Sequence, residues 1–124
     1  MSDPRDRMLR VRLAPEWYLV DPVWIQTPDA PILEDVPPME LTERYGVPTD
    51  ISVEIEAWDR EFQDTYRSDD PRESGFADAG AAERWERRGM AVARRLAAEL
   101  GPSIPVEIAA GGGMVQVDLG VDPP

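Results

Sequence analysis

Two stretches of the chain repeat their apolar positions at helical spacing. Ile51, Ile55, Trp58, Phe62 and Tyr66 recur every three or four residues, which lines them along one face of a 3.6-residue repeat. Glu54, Glu56, Asp59, Glu61 and Asp64 cover much of the remaining circumference. Thr49 or Asp50 is placed to cap the first amides. A second helix is predicted over 79–100, with Trp85, Gly89, Val92, Leu96 and Leu100 on one face. Asp78 is its expected N-cap, and Gly101-Pro102 stops it. Glu83 and Arg87 stand four apart in the favourable order. A glycine inside a helix costs about 1 kcal/mol relative to alanine. Gly89 on the apolar face therefore marks the close approach of another element, with the first helix as the candidate.

Elsewhere the period is two. Leu9, Val11 and Leu13 alternate with Arg10 and Arg12, as a half-buried strand does. Residues 17–26, WYLVDPVWIQ, form an apolar run broken by Asp21-Pro22. Proline lacks the ladder donor, so this run reads as an edge strand or as two extended pieces around a turn. Ile104, Val106 and Ile108, then Val115, Val117 and Leu119, flank Gly111–Gly113 and predict a β-hairpin. Pro28, Pro31, Pro37, Pro38 and Pro48 make 27–48 an extended surface loop. Within it only Met39–Tyr45 is free of proline for long enough to turn helically.

The order strands, loop, two helices, hairpin predicts an α+β fold in which two amphipathic helices pack on a small, mainly antiparallel sheet. A chain of 124 residues suits one domain, 1–124, with a frayed tail at 120–124. No apolar run reaches the roughly 20 residues of a membrane span, and the N-terminus lacks the apolar core of a signal peptide. The expected location is the cytoplasm.

Composition removes several chemistries. The sequence contains no Cys, His, Lys or Asn, and all 13 cations are Arg. Thiolate zinc sites, cysteine nucleophiles, histidine bases and Schiff-base lysines are therefore excluded. The missing Lys and Asn fit the coding bias of a GC-rich genome. No cofactor is called for. The net charge of −12 is uneven, because residues 14–59 hold eleven acids against Arg44. Such a surface repels nucleic acid and anionic lipid and attracts basic partners, although acidity also serves solubility alone.

The candidate motifs are modest. Asp69-Asp70-Pro71 with Glu73 offers carboxylates but lacks the spacing of a calcium loop, and it reads first as a connector, with Phe76 tucked between the helices. Gly111–Gly113 is followed by a strand, so a turn fits it better than a phosphate cradle. Arg84, Arg87, Arg88 and Arg95 lie along one side of the second helix and are expected to face the acids of the first. Trp17 and Trp24 are expected to pack beneath the proline-rich loop.

Trp58, Tyr66, Asp69-Asp70-Pro71, Ser74-Gly75-Phe76 and the helix end Arg94–Pro102 together resemble a group of small uncharacterised proteins from high-GC bacteria. The likeness spans residues 9–108 loosely and 58–102 more specifically. It implies an arrangement and no reaction, so no catalytic residue is carried over. The 27–48 loop and the glycine hairpin depart from the pattern.

Three readings of function follow. The first is a non-enzymatic interaction module with an acidic face that binds a basic protein, for instance an immunity protein or antitoxin masking a toxin. Asp35, Glu40, Glu43, Glu54 and Asp59 are its expected contacts, with Trp24 or Tyr45 as anchor. The second is a small carboxylate-based hydrolase or ligand-binding domain that uses Asp69, Asp70 and Glu73. The third is a subunit of a larger assembly, paired through the strand near 17–26 as an exposed edge.

Overall fold

The computed structural model describes residues 4–17, 20–30, 32–66, 75–110 and 113–117. A 3-10 turn, Pro4–Arg7, leads into β1 (Arg10–Leu13), β2 (Val23–Gln26), β3 (Glu34–Val36), α1 (Met39–Tyr45), α2 (Thr49–Gln63), α3 (Ala79–Leu100), β4 (Val106–Ala110) and β5 (Gly113–Val117). The strands form one sheet in the order β3-β2-β1-β4-β5.

The α+β class and the mainly antiparallel sheet hold, with one correction to the helix count and one parallel pair. There are three α-helices among the described residues rather than two, because MELTERY forms α1. The sheet is mixed: β1 and β4 run parallel, and the other pairs are antiparallel. A parallel pair needs a long crossover. The helices intervene between β1 and β4 and bring the chain back to the same end.

The 17–26 run also differs from expectation. Its strand, β2, lies inside the sheet between β1 and β3, so it offers no edge to an assembly partner. Pro22 precedes the first strand residue, and its carbonyl accepts from the Ala14 amide at 2.9 Å. Its missing N–H therefore falls outside the ladder. β3, inside the proline-rich segment, is the strand that caps this side.

Val11, Leu13, Val23, Ile25, Val106 and Ile108 point from the sheet into the core. Ile51, Ile55 and Trp58 of α2 and Val92, Leu96 and Leu100 of α3 meet them. The opposite sheet face is polar, with Arg10 and Arg12 flanking Glu107 at 3.2 and 3.5 Å.

The helices meet as Gly89 predicts. The indoles of Trp58 and Trp85 stack with centroids 4.6 Å apart. Each indole N–H donates to the other residue's carbonyl, Trp58 to Trp85 at 3.0 Å and Trp85 to Trp58 at 2.8 Å. A Cβ on Gly89 would lie 2.6 Å from the Trp58 ring. Asp78 caps α3 by accepting from the Ala81 amide at 2.7 Å. α2 is not capped by a side chain: Pro48 is its N-cap, and the Asp50 carboxylate turns to Arg95 instead. Gly46, at φ 71°, closes α1 with Gly46 N–H to Thr42 at 3.1 Å and Val47 N–H to Leu41 at 3.0 Å.

Candidate functional site

The end of the sheet built from β2 and β3 gathers acids from four parts of the chain. Asp35 lies on β3, in register with Trp24 of β2. Asp21 lies just before β2, and its amide donates to Asp35 Oδ2 at 3.3 Å. Glu40 comes from the first turn of α1 and Asp59 from the third turn of α2. Burial raises the pKa of Asp21, and the charges of Asp35 and Glu40 raise it further. Burial likewise raises the pKa of Asp59, with a smaller push from Asp21, while its hydrogen bond with Gln63 acts the other way. Asp21 is the common member, repelled by the charges of Asp35 and Glu40 and repelling Asp59 in turn. Glu40 is paired with Arg44 of its own helix at 3.5 Å.

Aromatic side chains and fixed amides frame this surface. The Trp24 indole N–H donates to the Ala14 carbonyl at 3.0 Å, which holds the half-buried ring in place. Trp17 stacks on Phe62 with centroids 5.2 Å apart and donates to the Phe62 carbonyl at 3.2 Å. Gln63 bridges the Glu16 carbonyl at 2.7 Å and Asp59 at 3.0 Å. Trp17 thus packs on α2 rather than beneath the proline-rich loop, and part of the Trp24 ring is exposed.

Of the expected contact residues, Asp35, Glu40 and Asp59 each lie near enough to Asp21 to feel or exert its charge, and Trp24 stands in register with Asp35 on the sheet. Glu43 is exposed elsewhere on α1. Glu54 belongs to the α2–α3 groove, where it pairs with Arg95 at 2.7 Å. Tyr45 is the clear correction: it is 5% exposed and packs in the core, so its ring is withdrawn from the surface. Asp21 was not among the expected contacts. Its Asp-Pro dipeptide reads locally as a turn, and only the pairing of β2 with β3 brings it beside Asp35.

The arginine row meets α2 in part, since Arg87 pairs within its own helix with Glu83 at 2.9 Å. Arg88 pairs with Glu61 and Arg95 with Asp50 and Glu54, so acids of α2 neutralise cations of α3. Arg95 holds the Asp50 carboxyl below its ordinary range. Among the described residues no group of three or more acidic side chains is close enough to hold a metal ion. The grooves along α2 and α3 are each lined by one carboxylate at most. Asp69, Asp70 and Glu73 lie outside the described residues, as do Gly111 and Gly112. Among the described residues no helix is long and apolar enough to cross a membrane.

None of the curated proteins compared with the chain matches it. A family model does match, over residues 9–109, from before the first strand to near the end of β4. The span takes in the acidic end of the sheet, the helix pair and the parallel β1–β4 return, and on it the chain belongs to the Serratia CdiI immunity protein-like family.

Proposed function

We propose that this protein is an immunity protein that neutralises a toxin by binding a basic surface on it, and that the contact is the acidic end of the sheet. One observation carries the reading. Asp35, Glu40 and Asp59 gather around Asp21 from separate elements although repulsion with Asp21 opposes the fold. Acids spread only for solubility would avoid that convergence. A positively charged partner adds counter-charge at Asp21, Asp35 and Asp59, steers the encounter and fixes the orientation. The half-buried Trp24 ring beside Asp35 provides an apolar anchor of the type that dominates interface energetics. The reaction belongs to the toxin, and the immunity protein acts by occlusion.

The test pairs the chain with the toxin encoded beside it. Co-expression is expected to restore growth, and calorimetry is expected to show affinity falling as salt rises. Replacing Asp35 with Lys is expected to weaken binding about tenfold or more, chiefly through the association rate. Growth rescue and affinity that both ignore Asp21→Lys and Asp35→Lys would remove the acidic end from the interface.

A further inference from the structure

The sheet has two edges, and they differ in kind. Among the described residues, β3 and β5 are each hydrogen-bonded to a neighbouring strand on one side only. β3 is three residues long and exposes Glu34 and Asp35. Short, charged edges resist pairing with another strand. β5, GMVQV, is five residues long and has neither charge nor proline. Met114 is 44% exposed and Val115 42% exposed on it. Val115 pairs in register with the buried Ile108, so it lies on the helix-covered side and is exposed because the sheet stops there. Met114 and Gln116 share the opposite face with Ala109 and Glu107.

The geometry points to self-association through this edge: β5 pairs antiparallel with β5 of a second copy of the chain, continuing the sheet across a two-fold axis. Charge selects the occupant. Two copies meeting at β3 would place Glu34 and Asp35 against their own kind, whereas two copies meeting at β5 oppose no ionised side chain within the strand. A basic segment would find its counter-charge at β3 and none on β5. An axis at the middle of β5 sets Val115 against the second copy's Val115 on the helix side and Met114 beside the second copy's Gln116 on the other. Aliphatic cross-strand pairs of this kind stabilise a sheet. β3 and β5 are opposite edges, so the dimer leaves both acidic ends free.

The net charge of −12 on each copy opposes association, and a five-residue ladder buries less than the roughly 1,600 Å² of a standard interface. The dimer is therefore weak and is strengthened by salt, the reverse of the sign expected for a basic toxin.

Sedimentation equilibrium on the full chain tests this. Between about 0.02 M and about 0.5 M salt the dissociation constant of the dimer is expected to fall about tenfold, as screening removes the repulsion. Val115→Lys and Val115→Glu are both expected to abolish the dimer, with folding verified by circular dichroism. An effect of net charge alone would move those two variants in opposite directions, and that result would overturn the proposal. A monomer at all salt concentrations, or a dimer indifferent to both variants, would overturn it too. Toxin binding is read separately in the same variants and is expected to be unchanged, so either proposal can fail alone.

Discussion

Gly89 shows how one residue can be fixed by a contact across the core. Helix propensity alone favours alanine there by about 1 kcal/mol. The added Cβ, however, would lie 2.6 Å from the Trp58 ring. That ring has little freedom to move, being stacked on Trp85 and held through its N–H to the Trp85 carbonyl. Overpacking of this kind typically costs about 1–3 kcal/mol, so the clash outweighs the propensity. Gly89→Ala is expected to lower the midpoint of urea unfolding, and a more stable variant would show that α2 and α3 do not meet there. Arg5 has a comparable role at the edge of the core. Its guanidinium donates to the carbonyls of Tyr45 at 2.9 Å, Gly46 at 3.0 Å and Glu99 at 2.9 Å. It thereby satisfies carbonyls left open at the ends of two helices and ties the N-terminal turn to both.

At the scale of elements, α3 was legible because local chemistry decides it. Its apolar spacing, the Asp78 cap and the Gly101 stop all sit within its own sequence, and all three are found. Asp78→Ala is expected to cost about 1 kcal/mol, measurable as a lower Tm in thermal unfolding. α2 was legible in its buried face but not in its start, since Asp50 can cap its own helix or reach Arg95 and only the packing of α3 decides. The hairpin of β4 and β5 follows from alternation around glycines. β3 left no signal, because three residues between prolines carry no periodicity and the ladder with β2 creates them as a strand. The parallel β1–β4 pair was illegible for a related reason: Val11 and Val106 are far apart in sequence, and alternation says nothing about strand direction. The candidate surface shares this history. Its acidity was visible along residues 14–59, but the meeting of Asp21 with Asp35 depends on strand register, and the withdrawal of Tyr45 depends on which face of α1 packs inward.

For the whole molecule, the acidic end sets stability against binding. Asp59 has a raised pKa, first because it is partly buried and then because of Asp21. A carboxylate whose folded pKa lies above its unfolded value destabilises the fold when ionised. That penalty is full above the folded pKa and disappears as pH falls through it towards the ordinary aspartate value. Asp59→Asn keeps an oxygen to accept from Gln63 while removing the charge. The variant is therefore expected to be more stable than the natural chain at pH 7, with the gap closing on acidification through the raised pKa, as followed by urea unfolding at several pH values. The same substitution is expected to weaken the proposed toxin contact, because it removes one of the four charges offered to a basic surface. A stability gain coupled to a binding loss is the signature of a site kept for function. If Asp59→Asn left binding intact while stabilising the protein, Asp59 would lie outside the interface. If it destabilised the protein at neutral pH, the crowding of carboxylates at this end of the sheet would not be the strain described here.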